Sequence, residues 1–163
     1  MAAGGSVEFD VEAWPLVIMT CGGNMEGTVG PIRAFFETAH AREEPFAIMV
    51  DTRPVRSMPG PKWRRELTDW TGDPVVQLHS AQYNVATAVV LSSALARGVY
   101  TALGWLWKPA SPVKACATPG EAVDWCCELL MKAKIPRSPK LIELQRSLHD
   151  PGGARHPSAR QSR

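Results

Sequence analysis

The chain has 163 residues, of which 45% are apolar and 21% are charged. This length and composition indicate one folded, water-soluble domain and exclude a disordered or collagen-like chain. The net charge of +2 conceals an asymmetry, because residues 134–163 carry a net charge of +5 and residues 1–133 carry −3. Positive charges spread thinly over a chain end are more typical of a solvated segment than of a nucleic-acid interface, so we expect no nucleic-acid partner.

Strand and helix patterns alternate along the chain. The first two extended segments are joined by Trp14-Pro15, a link so short that it favours an antiparallel pair. In chain order we predict strands at 8–13 and 16–21, a helix from about Pro31 to Arg42, a strand at 46–52, a helix from Pro61, a strand at 85–92, a helix over 94–107, a strand at 113–118 and a helix from Pro119 to about Lys134. This order predicts an α/β fold: a small mixed, mostly parallel sheet of about five strands, with an N-terminal antiparallel hairpin and crossover helices.

Local patterns define two of these helices. In Thr118-Pro119-Gly120-Glu121 the threonine is an N-cap, and the glutamate carboxylate can reach back to the N–H of the cap residue. The helix from Pro61 carries an apolar stripe of Trp63, Leu67 and Trp70, which we interpret as core contacts. After a break at TGDP, we expect the segment VVQLHSAQ to resume this helix at an angle.

The chain divides into a domain and a tail. Residues 7–134 hold the alternating strands and helices and are predicted to form the α/β domain. Residues 135–163 are basic and include one short helical pattern, KLIELQRSL, but the end DPGGARHPSARQSR has nothing to bury. We therefore predict a largely disordered C-terminal tail over 135–163.

The sequence lacks the usual signatures of catalysis and of metal or cofactor binding. It contains no GxGxxG or GxxxxGK[ST] loop, no nucleophile beside a base, and no cysteine or histidine pair at zinc spacing. We therefore expect no enzyme activity, no cofactor and no metal, and keep a scattered site assembled by the fold as a distant alternative. Because there is neither a secretion signal nor an apolar segment of about 20 residues, we expect a cytoplasmic protein without a membrane span. Richness in Ala, Arg, Pro and Gly is typical of a GC-rich bacterial genome.

The loop after the strand at 46–52 is the candidate site that the pattern favours. Asp51 ends the apolar run, and Arg53 and Arg56 follow in the loop. Side chains of the two arginines can bind an anion, although Pro59 and Pro61 each remove a backbone N–H that a phosphate would need. The alternative is structural: Asp51 accepts N–H bonds from the loop and closes the turn.

The order of elements, together with EPFAIMVDTRPV and VATAVVLSSALARGVYTALGWLWKPASPVKACATPGEAVDW, resembles the SpoIIAA-like or STAS/SEC14-type small domains of bacteria over residues 7–131. The resemblance implies a domain that binds partners and that is, in some members, switched by phosphorylation of a Ser or Thr where the helix after the third strand begins. Ser57 stands near that position and is the candidate phosphoacceptor. The anti-sigma-factor antagonists, which the resemblance includes, have an Asp-Ser step there, and Ser-Met-Pro-Gly replaces it in this sequence. From the residues alone we predict that Ser57 caps the helix rather than serving as an obligatory phosphoacceptor.

Two functions of different classes follow. The first is a non-enzymatic protein-interaction module, regulatory or adaptor-like, whose partner is another protein or a second copy in a homodimer. The second is a binder of a small apolar or lipid ligand, which the SEC14 side of the resemblance implies.

The helix over 94–107 is the predicted partner surface. At 100° per residue its aliphatic side chains gather on one side and suffice to pack it on the sheet. Tyr, Trp and Arg are enriched at binding hot spots, and those of this helix lie off that side. The predicted partner residues are Arg97, Tyr100, Trp105 and Trp107. The alternative is that neighbouring loops or the C-terminal helix cover these rings.

Overall fold

A computed structural model describes residues 4–93, 96–97, 100 and 109–150 of the chain. Within them the elements are β1 (Ser6–Asp10), β2 (Leu16–Gly22), α1 (Val29–His40), β3 (Phe46–Asp51), α2 (Pro61–Thr71), α3 (Pro74–Tyr83), β4 (Asn84–Val90), β5 (Val113–Cys116), α4 (Pro119–Lys132) and α5 (Pro139–His149). Most of the predicted helix over 94–107 lies outside the described residues. None of the described helices is long and apolar enough to cross a membrane.

The five strands form one sheet in the order β1–β2–β3–β4–β5. β1 pairs antiparallel with β2, placing Phe9 opposite Met19, and the remaining strands pair in parallel. β2 and β3 are central and their side chains are mostly buried, as their continuous apolar runs indicate. The predicted fold class, a mixed and mostly parallel sheet with an N-terminal hairpin, is confirmed.

Helices cover both faces of the sheet. Crossovers between neighbouring parallel strands have one hand, so α1, α2 and α3 lie together on one face. Alternate residues of β2 and β3, such as Val17 and Ile48, pack with α1 in the core of that face. Their neighbours Leu16 and Ala47 face the opposite way and pack with α4 and α5.

The C-terminal helix α5 lies within the segment predicted to be tail. Leu141 is fully buried, and Leu144 and Leu148 pack against the same core, at the spacing of one helix face. Gln145 Nε2 also donates to Asp124 Oδ1 of α4 at 2.7 Å. The boundary predicted at 134 is therefore too early, because the packed domain extends at least to His149. Residues 151–163 lie outside the described part of the chain.

The capping pattern at the start of α4 forms with one difference. Thr118 Oγ1 accepts from the N–H of Glu121 at 3.2 Å, as predicted. Glu121 Oε2 accepts from the N–H of Ala117, one residue before the cap, at 3.0 Å. Both ends of the pattern therefore satisfy backbone donors where the chain passes from β5 into α4.

Candidate functional site

The loop between β3 and α2, residues 52–60, lies at the carboxyl edge of the sheet and is fixed by backbone contacts. Val55 forms a parallel bridge with Gly23, and the N–H of Arg56 donates to the carbonyl of Gly23 at 2.8 Å. Gly23 has a φ of +68°, and a Cβ there would lie 2.6 Å from the carbonyl oxygen of Gly4. Glycine is therefore required at position 23, where the backbone binds the loop through Val55 and Arg56.

Asp51 and Arg53 form a bidentate ion pair at the start of this loop. Arg53 Nε donates to Asp51 Oδ1 at 2.9 Å, and Arg53 Nη2 donates to Oδ2 at 2.7 Å. The backbone N–H of Arg53 donates to Oδ1 at 3.0 Å, so Asp51 closes the turn as the structural interpretation predicted. Hydrogen bonds from Arg53 hold the pKa of Asp51 below its usual range, against the opposing effect of burial. The carboxylate is thus charged and fully engaged within the loop.

Neighbouring strand ends are tied to the same edge. Thr52 Oγ1 donates to the carbonyl of Val90, the last residue of β4, at 2.6 Å. Arg97 Nη1 donates to the carbonyl of Leu91 at 3.1 Å. One predicted partner residue, Arg97, therefore lies at the same sheet edge as the Asp51–Arg53 loop.

The middle of the loop presents exposed side chains. Arg56, Ser57 and Met58 are all exposed, Met58 by 55%. None of the described side chains forms a hydrogen bond or ion pair with Arg56 or Ser57. The backbone of the loop is thus fixed, while its central side chains point to solvent.

Ser57 does not cap α2, so that prediction is wrong. The cap residue is Gly60, which has extended backbone and provides no side-chain bond. Met58, Pro59 and Gly60 separate Ser57 from Pro61, whereas an N-cap residue directly precedes the first helical residue. The N–H of Gly60 instead donates to Glu26 Oε1 at 3.3 Å.

The predicted partner helix is described only in part. Arg97 and Tyr100 are half-buried, and burial raises the pKa of the Tyr100 hydroxyl, with Cys116 nearby as a smaller cause. Trp105 and Trp107 lie outside the described residues.

A cleft between α1, α2 and α3 is a feature that the sequence analysis missed. Its volume is about 900 Å³ and it opens to solvent. Its floor is aromatic: the ring centroid of Phe36 lies 5.6 Å from that of Trp70, and the His79 centroid lies 6.2 Å from that of Tyr83. α2 and α3 contribute no buried residue, and all four rings are partly exposed over the core.

His40 lies at the inner wall of the cleft, between the floor and the core. Its ring centroid is 5.5 Å from that of His79 and 6.0 Å from that of Phe46. The residue is only 7% exposed, and its Nε2 has no hydrogen-bond partner among the described residues. Burial, and to a lesser extent the neighbouring His79, lowers the pKa of the His40 imidazole.

The rim of the cleft is acidic. Five carboxylates and one guanidinium line it, giving four net negative charges when both histidines are neutral. They belong to Glu37, Glu43, Glu66, Asp69, Asp73 and Arg33.

Several rim charges already have partners. Arg33 pairs with Glu37 at 2.8 Å, and Asp73 caps α3 by accepting the N–H of Val75 at 2.8 Å. Glu43 and Asp69 form no ion pair within the described part of the chain, so their charges are available to a ligand.

The four cysteines do not form a reactive site. Cys21, Cys116, Cys126 and Cys127 are all buried free thiols. Burial raises their pKa values, to about 11 for Cys21 and about 12 for Cys126. Since the thiolate is the nucleophile and the metal ligand, these thiols are chemically inert. Among the described residues no group of three or more His, Cys, Asp or Glu could hold a metal ion.

Comparison with known proteins identifies the fold. No protein-family model matches the chain, and no curated protein matches it in sequence. A solved structure does match: an uncharacterized protein of the DUF3478 family with a SpoIIAA-like fold, from Shewanella loihica PV-4. The two chains are 12% identical with a TM-score of 0.57, and the match covers 78% of this chain and 99% of the other. The chain therefore has the SpoIIAA-like fold that its sequence resembles, and at this identity the match describes the fold alone.

Proposed function

We propose that the chain is a non-enzymatic interaction module that binds a protein partner at the carboxyl edge of its sheet, in a regulatory or adaptor role in a bacterial cytoplasm. The observation that carries the proposal is the β3–α2 loop, whose backbone is fixed while Arg56, Ser57 and Met58 are exposed. A loop that is ordered before binding loses little conformational freedom on association. Methionine and arginine are both enriched in protein interfaces.

The neighbouring chemistry supports binding rather than catalysis. Asp51, the carboxylate that ends β3, has both of its oxygens engaged by Arg53. Cys21 is buried, and burial, with a smaller effect of Asp51, raises the pKa of its thiol. The Asp51–Arg53 pair therefore shapes the loop, and its exposed neighbours provide the contact surface.

We include Arg97 and Tyr100 in this partner surface. Arg97 binds the carbonyl of Leu91 next to the β3–α2 loop, so a partner seated on Met58 can extend toward it. The partner is another protein or a second copy of the chain.

A matched pair of exposed methionines tests the proposal. Met58 in the loop and Met131 on α4 are 55% and 53% exposed, and glutamate at either position adds the same charge. We expect Met58→Glu to weaken the self-association measured by light scattering, or the affinity for a purified partner, by about tenfold or more, since buried interface side chains can contribute more than 1.4 kcal/mol.

Thermal stability should be the same for Met58→Glu, Met131→Glu and the parent. Met131→Glu should bind as the parent does. Equal binding by all three proteins would contradict the proposed surface.

A further inference from the structure

We propose that the cleft between α1, α2 and α3 is a second binding site, for a lysine- or arginine-rich amphipathic segment of a partner protein. The site is separate from the β3–α2 loop and does not depend on the function proposed for that loop. Two features carry the inference: the aromatic floor and the acidic rim.

The floor is suited to cationic side chains. The partly exposed rings of Trp70 and Tyr83 can attract an ammonium or guanidinium group through the ring quadrupole, and the aliphatic stem of the same side chain can pack on the rings. This chemistry already occurs within the chain, where the guanidinium of Arg42 lies 4.0 Å from the centroid of the Trp14 ring. The cleft offers the same kind of surface without such an internal occupant among the described residues.

The rim makes the site negatively charged. Carboxylates outnumber cationic groups around the cleft even with Glu66 paired to Lys62 at 3.8 Å, so the rim attracts a basic segment and repels an acidic peptide, a nucleic acid or an anionic lipid. Glu43 and Asp69 supply the charges that are not compensated by an ion pair in the described part of the structure. A cationic side chain in the cleft can pair with a rim carboxylate and pack on an aromatic ring of the floor.

His40 forms part of the inner wall and is not counted among the contacts of the segment. It is more than nine-tenths buried at the inner wall, and its Nε2 is an unpaired polar atom in an aromatic environment. Leaving such an atom unpaired costs free energy. Because this nitrogen has almost no accessible surface, a cationic donor in the cleft reaches it only if the inner wall rearranges.

The shape of the cleft favours a protein segment over a small ligand. The cleft is open rather than enclosed, whereas small-molecule sites bury most of their ligand. Val75 and Leu78 of α3 are 59% and 64% exposed, and Val75 lines the cleft. An amphipathic helix can place apolar residues on these side chains and basic residues in the cleft.

The test uses the full chain and two synthetic peptides of helical periodicity. One carries lysines on its polar face, and the other is identical except that glutamate replaces each lysine. We expect the lysine peptide to bind in calorimetric titration, with affinity that falls as salt is raised, and the glutamate peptide not to bind. Absence of binding by the lysine peptide, or equal binding by both, would overturn the proposal.

Charge-reversal variants locate the binding. Glu43→Lys combined with Asp69→Lys should lower the affinity for the lysine peptide by at least about tenfold, which corresponds to about 1.4 kcal/mol of binding free energy. The matched control, Glu8→Lys with Glu12→Lys, makes the same change in net charge at exposed positions that do not line the cleft. The control should bind the peptide as the parent does. An equal loss in both double variants would show that only net charge matters and would overturn the site.

Discussion

Substitutions of Asp51 distinguish a structural carboxylate from a functional one. The carboxylate accepts three hydrogen bonds from Arg53, one from its backbone N–H and two from its guanidinium. Asp51→Asn keeps an oxygen that can accept the backbone N–H but removes the charge. Asp51→Ala removes both, so the two variants separate the turn bond from the ion pair.

The expected magnitude follows from these contacts. The turn hydrogen bond contributes about 1 kcal/mol to the free energy of unfolding. The Arg53 side chain is 50% exposed, so its charge stays hydrated after the substitution and the ion pair contributes only about 0.5 kcal/mol. We expect Asp51→Ala to lower the free energy of unfolding by about 1.5 kcal/mol and Asp51→Asn by about 0.5 kcal/mol.

Urea denaturation near neutral pH and in acid provides the assay. Because Arg53 holds the pKa of Asp51 below its ordinary value of 3.8, the charged carboxylate stabilises the fold above that value. Its contribution is lost as the pH falls through the lowered pKa. The difference between the parent and Asp51→Ala should therefore shrink in acid.

The reasoning would be refuted by an Asp51→Ala protein that is as stable as the parent but no longer binds a partner, because Asp51 would then be part of the binding surface. A difference in stability that does not change with pH would refute the ion pair as its source.

Three further predictions follow from buried groups. Leu141→Ala should lower the free energy of unfolding, measured by urea denaturation, by about 2–5 kcal/mol, because Leu141 is fully buried under α4. A loss below about 1 kcal/mol would show that α5 does not pack on the domain. The lowered pKa of His40 means that the unfolded chain takes up its proton first as pH falls below 6.5, so stability is lost with falling pH. His40→Phe should reduce that loss between about pH 7.5 and 5.5, and an unchanged pH profile would contradict the buried neutral imidazole. Native protein should not react with iodoacetamide at Cys126 or Cys127, whereas urea-unfolded protein should, as measured by mass spectrometry; rapid native labelling would contradict their burial.

The sheet could be predicted because its strands carry strong local signals. Continuous apolar runs mark β2 and β3. The antiparallel pairing of β1 with β2 is as predicted, but β1 ends at Asp10 rather than at residue 13, so the link spans residues 11–15 and not Trp14-Pro15 alone. The stripe Trp63, Leu67 and Trp70 is half-buried on the helical face that its spacing predicts. The prediction that Ser57 caps α2 was wrong because a single polar residue near a proline does not define where a helix begins.

The cleft could not be predicted from these signals. Its lining runs from Val29 to Tyr83 across three helices, and only their packing brings His40 within 5.5 Å of His79. Histidines late in helices carry no sequence signature of a site. The sequence places the apolar residues Val75 and Leu78 on α3, but only the structure shows that they are exposed and that the helix has no buried residue. For α5, the usable signal was its apolar spacing, which the surrounding prolines and charges obscured.

Photo-crosslinking tests the proposed partner surface most directly. A photoreactive amino acid would replace Ser57 in the β3–α2 loop or, as the control, Met131 on α4, and the full chain would be irradiated in its native cells. We predict a discrete adduct of defined mass from position 57, none from position 131, and loss of the adduct when Arg56→Glu is added. An adduct from position 131 alone, or an adduct from position 57 that Arg56→Glu does not change, would contradict a partner bound at the carboxyl edge of the sheet.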